Sequence, residues 1–193
     1  MKSLSIMRDE HQAMAAMLHA LLMLVRGIRE HRMRPNFELL GAMVYYVDTF
    51  PERLHHPKED QWLFRLLALR HPPARALLNQ LQAEHRQGST MVRQLEQTLL
   101  RYRVGGDTEY PAFAAAVDAF VEFERSHMRR EEHEVFPLAQ SYLLPQDWVE
   151  IDSAFATNAD PLIGATSPNQ FNELFTRIVN LAPAPIGVGP TAG

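Results

Sequence analysis

The chain has no cysteine. That absence excludes disulfides, zinc ribbons, iron–sulfur clusters and thiol catalysis, and leaves His, Asp and Glu as the side chains able to hold a metal. Excess charge is scarce too. Nineteen Lys and Arg against 23 Asp and Glu give a formal net charge of -4, which points to neither nucleic acid nor an anionic membrane as a partner. Long hydrophobic runs are missing as well: no stretch approaches the roughly 18 uncharged apolar residues that span a bilayer. The opening MKSLSIMRDEH lacks the apolar centre of a signal peptide, so the cytoplasm is the expected compartment. No alternating apolar run flanked by turn residues argues for strands.

What remains is 193 residues, 46% of them hydrophobic, enough for one cored domain with or without an appendage. From Met1 to about His31, the residues Leu4, Met7, His11, Met14, Leu18, Leu21, Leu22 and Val25 recur in steps of three and four and share one helical face. Arg34-Pro35-Asn36 breaks this helix. A second helical segment runs from about Asn36 to Leu69, with a kink or short break expected at Pro51 or Pro57 because proline lacks the backbone donor. A third covers about Pro73 to Tyr102 and a fourth about Thr108 to Tyr142, separated by Gly105-Gly106. Four such segments joined by short turns predict an all-α, antiparallel up-down-up-down four-helix bundle over residues 1–143.

Residues 144–193 form a different unit. A short helix from Pro145 to about Ala156, a loop at 157–161, a helix from Ser167 to about Leu181 and a Gly/Pro-rich tail are expected. The segment has no histidine and no metal-ligand spacing, so it is expected to be dispensable for a metal site. It would pack on the bundle or, as a homodimer contact, on a second copy of the chain.

The bundle carries an internal duplication. FPERLHHPKEDQWLF and FERSHMRREEHEVFP share the pattern E-x-x-H-x-x-x-E-[DE]-x-x-x-F at a displacement of 72 residues, which sets Glu52 on Glu124, His55 on His127, Glu59 on Glu131, Asp60 on Glu132 and Phe64 on Phe136. A second pairing sets Glu10-His11 on Glu84-His85. Each half thus offers one histidine from its first helix and a His-x-x-x-Glu from its second. At about 100° per residue, positions i and i+4 lie about 40° apart and one turn along the axis. The histidine can then bind one metal through nitrogen, while the glutamate's two oxygens bridge to another. The candidate ligands are His11, His55, Glu59, His85, His127 and Glu131. One division puts His11 with His55 and His85 with His127; the spacing leaves other divisions open.

A lone His-x-x-x-Glu is more often a surface pair. Burying four histidines and two carboxylates at one level without metal, however, costs heavily in desolvation, which favours a metal pair. The remaining histidines are expected to stand aside. His56 and His133 should point away from the ligand face, His31 and His71 sit at helix ends, and His19 should pack. Glu10, Glu84, Asp60 and Glu132 read as solvated charge. Glu52 and Glu124 are equally readable as exposed charge or as groups that orient the ligand imidazoles. Phe64 and Phe136 would wall the site or fill the core.

RDEH, HHPKEDQWLF, AEH and HMRREEHEVFP together resemble the hemerythrin-like, or HHE cation-binding, proteins over about residues 4–142. The resemblance implies a carboxylate-bridged di-iron centre on the six candidate ligands. Its cofactor would be two iron ions (Fe2+/Fe3+) with a bridging oxo or hydroxo, although the donors suit zinc and manganese as well. One departure matters. Ser89 stands one turn after His85, where oxygen-carrying hemerythrins have a further histidine, and the fourth helix carries His127-x-x-x-Glu131 instead of H-x-x-x-x-D. The chain is therefore more similar to the four-histidine, two-glutamate branch, whose members sense iron, oxygen or nitric oxide or act in stress defence. The expected function is to bind or sense O2, NO or peroxide, or to buffer iron. The alternatives are a di-iron peroxidase or oxidase, a ferritin-like bundle using Glu52-x-x-His55 and Glu124-x-x-His127, and a zinc-binding non-redox bundle.

Overall fold

The computed structural model describes residues 1–156 together with Ile178, Asn180 and Ala182. Helix α1 spans Lys2–Arg29, and His31, two residues past its end, takes a positive φ of 54°. Asn36 starts α2, Phe37–Thr49, by accepting the backbone N–H groups of Glu38 and Leu39 on its side-chain oxygen. The second helical segment then continues through a π turn at Pro51–His55, α3 at His56–Lys58, a second π segment at Glu59–Phe64 and α4 at Arg65–Arg70. Helix α5 is Arg75–Gly105. The fourth segment comprises α6, Tyr110–Arg130, a π segment at Glu131–Val135 and α7, Phe136–Tyr142. Helix α1 packs on α2 and α6, and α5 packs on the same two. The result is the all-α four-helix bundle that the sequence predicts.

The prolines widen the helix instead of breaking it. Pro51 cannot donate to the carbonyl one turn back, and the N–H of His55 reaches Phe50 O at 3.1 Å, five residues earlier. Pro137 lies two residues past the π segment of the fourth helix, as Pro57 lies two residues past that of the second. Each His-x-x-x-Glu motif therefore meets a widened turn, a feature often found at functional sites.

Among the described residues the apolar core comes in two blocks. One gathers Met14, Leu18, Leu21 and Val25 of α1 with Leu40, Met43, Val92, Leu95, Val117 and Phe120. The other gathers Leu4 and Met7 with Phe64, Leu67, Leu81, Phe136 and Ala139. His11 lies between Met7 and Met14, and His85 between Leu81 and Val92, so the histidines occupy the layer that separates the blocks.

One sequence expectation needs correction. By length and composition α1 is apolar enough to cross a bilayer. Its charges gather towards its ends, which leaves a long run broken only by His11, Gln12 and His19 before Arg26. More than half of that window is buried inside the molecule, which is the pattern of a core helix.

The first helix expected in the extension is present as α8, Pro145–Phe155. It lies along α1, with Trp148, Ile151 and Phe155 buried in the second block and Asp152 accepting from both Ser3 N and Ser3 Oγ. Ile178 and Ala182 pack into the first block. The loop, the second helix and the tail expected beyond Ala156 otherwise lie outside the described residues.

Candidate metal centre

All six candidate ligands are buried, the most exposed being His85 at 6%. They converge in two groups. His11 Nε2 and His55 Nε2 lie 3.1 Å apart, and His85 Nε2 and His127 Nε2 lie 2.9 Å apart. The carboxylates stand between them. Glu59 Oε1 is 3.3 Å from His55 Nε2 and 4.0 Å from His11 Nε2, while its Oε2 is 3.7 Å from His85 Nε2. Glu131 mirrors this: Oε1 lies 3.3 Å from His127 Nε2 and 3.5 Å from His85 Nε2, and Oε2 lies 3.4 Å from His11 Nε2. Each carboxylate thus turns one oxygen to each histidine pair, and none of the four oxygens has a hydrogen-bond partner among the described residues. Buried carboxylate oxygens are rarely left unpaired. The donors fit two cations, each facing two imidazoles and two carboxylate oxygens.

Every histidine in the set is held at its other nitrogen by a carboxylate. His11 Nδ1 meets Glu132 at 2.9 Å, His55 Nδ1 meets Glu10 at 2.7 Å, His85 Nδ1 meets Asp60 at 2.9 Å and His127 Nδ1 meets Glu84 at 3.0 Å. These contacts fix each ring so that Nε2 faces the centre. They obey the duplication, since Glu10 corresponds to Glu84 and Asp60 to Glu132. The reading of these four as solvated charge is overturned: each reaches across to a histidine on another helix. Arg130 in turn donates to Glu84.

Phenylalanines back the rings. Phe136 lies 5.8 Å from His11, Phe64 5.6 Å from His85 and Phe123 6.4 Å from His127, centroid to centroid. His55 meets Phe50 at 6.3 Å and Phe155 of α8 at 6.2 Å. The extension therefore touches the site, which its lack of ligand spacing did not foretell.

Glu52 and Glu124 do not orient the ligand histidines. They converge beside Gly88, where a β-carbon would lie 2.7 Å from Glu52 Oε1 and 3.3 Å from Glu124 Oε1. Ser89 Oγ donates to Glu52. Burial raises both carboxyls, that of Glu124 to about 7 against the pull of His127. His56 also departs from expectation, being 3% exposed instead of turned outward, because the π turns on either side rotate it inward. His133 is exposed as expected, but so is His19, which was expected to pack.

Opposite charges face one another across the layer. Burial disfavours a charged His55, but Glu59 and Glu10 outweigh it and hold its pKa well above the usual value. His127 is raised likewise, against burial, by Glu131 and Glu84. His85 is raised to about 9 by Asp60 and Glu131, again against burial. The Glu131 carboxyl is driven well below the usual range despite burial, chiefly by His127.

The model of the hemerythrin HHE cation-binding domain matches residues 2–139. The chain belongs to the hemerythrin HHE cation-binding family. That membership, with its buried His/Glu clusters, makes this bundle a metal-binding one. Neither the curated proteins nor the solved structures compared with the chain gave a match.

Two consequences of the hemerythrin-like arrangement are open to measurement. Glu10→Gln and Glu84→Gln should each weaken metal binding about 10–100-fold, the usual cost of losing a group that orients a ligand. Competition against a chelator of known affinity reads this, and unchanged affinity in both variants would remove their assigned role. Metal uptake should also release protons. His85 titrates at about 9 in the metal-free protein and near 6.5 when unperturbed. Its proton is therefore still in place at neutral pH and must leave as the metal enters. Affinity should rise with pH up to about 9, and an indicator dye in weak buffer should report acid on metal addition.

Proposed function

We propose that the chain is a non-haem di-iron protein that binds small oxidants such as O2, NO or peroxide. His11, His55, Glu59 Oε1 and Glu131 Oε2 would hold one iron, and His85, His127, Glu59 Oε2 and Glu131 Oε1 the other. The observation that carries this reading is the set of four carboxylate oxygens, unpaired among the described residues, of which each glutamate turns one to each of the two imidazole pairs. Bound iron supplies Lewis acidity and redox cycling.

The protein's own groups do the rest. Glu59 and Glu131 place negative charge between the two positions and hold them at a fixed separation. Glu10, Asp60, Glu84 and Glu132 strengthen the imidazoles as donors through their Nδ1–H groups. Phe50, Phe64, Phe136 and Phe155 pack against the imidazoles and keep bulk water from them. Ser89 adds no donor, because its hydroxyl is committed to Glu52. Four such donors per metal leave room for an outside ligand, which favours reaction with oxidants over reversible oxygen carriage.

The test is metal analysis of protein from iron-replete cells, followed by anaerobic reduction, admission of air and stopped-flow absorption. Two irons per chain and rapid growth of ligand-to-iron charge-transfer bands are expected. Zinc in place of iron, or an adduct that reverses under vacuum, would overturn the reading.

A further inference from the structure

The six ligands do not exhaust the histidines at this level. His56 is 3% exposed. Its ring lies nearly parallel to that of His85, at 8° with centroids 4.3 Å apart, and 5.3 Å from His127. A ring nitrogen of His56 lies within 4.8 Å of donor atoms of Glu59, His85 and His127. That is about the span of donors around a single ion, since ligands bound at about 2.1 Å on opposite sides lie about 4.2 Å apart.

The surroundings of His56 repeat the rule of the site. Each of the other four histidines has a carboxylate on Nδ1. Nδ1 of His56, buried and without a hydrogen bond, lies 3.5 Å from Glu52 Oε1. Ser89 fixes the other oxygen of Glu52. Gly88, unfavourable in mid-helix, leaves room for this carboxylate where any β-carbon would collide with it.

We propose that His56 is a seventh protein ligand, bound through Nε2 to the metal of His85 and His127, with Glu52 as its Nδ1 partner. The inference rests on the di-metal reading above. The duplication places Met128 at the position equivalent to His56, and a thioether is a poor partner for iron in an oxygen and nitrogen site. The two metal positions are therefore unequal. The His85 position has five protein donors and the His11 position four, so an outside ligand binds at the His11–His55 metal.

The experiment compares the iron-57-loaded full chain with His56→Ala and His56→Phe by Mössbauer spectroscopy, and measures stepwise zinc affinities in parallel. The wild type should show two iron environments in equal amount. His56→Ala should change one and spare the other, with one zinc affinity reduced about tenfold or more. Added imidazole should restore both readouts. His56→Phe keeps a ring against His85 without a donor and should behave like alanine. It carries the test alone if the alanine variant does not fold. A wild type that binds two metals while His56→Phe matches it in spectrum and affinity would overturn the ligand role. A wild type that does not bind two metals would instead overturn the underlying di-metal reading, and the inference with it.

Discussion

Glu59→Gln and Glu131→Gln are each expected to reduce bound metal from two ions per chain to one or none. Each carboxylate faces both histidine pairs, through one oxygen apiece. An amide keeps the shape but turns one oxygen into an NH2 group with no lone pair to give, and it removes a negative charge lying between two cations. Both metal positions lose by a single substitution, and by more than the 10–100-fold that follows loss of an orienting group. Glu122, exposed on α6, is the control, and Glu122→Gln should bind as the wild type does. Metal content by mass spectrometry decides the matter: two full equivalents in both site variants would mean that neither carboxylate bridges.

Stripping the metals should lower the melting temperature by about 10 °C or more. Without cations the carboxylate oxygens of Glu59 and Glu131 would have no partner among the described residues, and the imidazoles would stay paired at 3.1 and 2.9 Å, an arrangement costly to bury. A ligand at 100 times its dissociation constant stabilises the folded state by about 2.7 kcal/mol, so two metals contribute about 5 kcal/mol. In a chain of this size each kcal/mol moves the midpoint by about 2–4 °C. Calorimetry before and after dialysis against a chelator reads the difference. A shift under about 3 °C would show that the fold does not depend on the cations.

The bundle and the convergence of the six candidate residues were legible because they are written in periodicity. Met7, His11, Met14 and Leu18 mark one face of α1, and a displacement of 72 residues superposes His55 and Glu59 on His127 and Glu131. The partners of the imidazoles were not legible. Helical geometry gives the direction of Glu10 on its own helix, about 100° from His11. It does not reveal that His55, on the neighbouring helix, lies where Glu10 points. Asp60, Glu84 and Glu132 were misread for the same reason. His56 escaped for a different one. Its expected direction assumed an even α-helical turn, whereas π segments lie on both sides of it. Pro51 and Pro57 announced an irregularity there without fixing its form. For Glu131–Val135 the later Pro137 was the available signal.

The division of the core into two apolar blocks by the ligand layer has a mechanical meaning. Each block holds its own stretch of the four helical segments together, and between the blocks the continuous helices are packed through the histidine–carboxylate layer. With cations in place the layer acts as a rivet, and amide hydrogens on both sides should exchange together in a single global opening. Without them the rivet is gone, and each end of the bundle becomes free to open as its own cooperative unit. The metals would then set the number of units in which this protein unfolds.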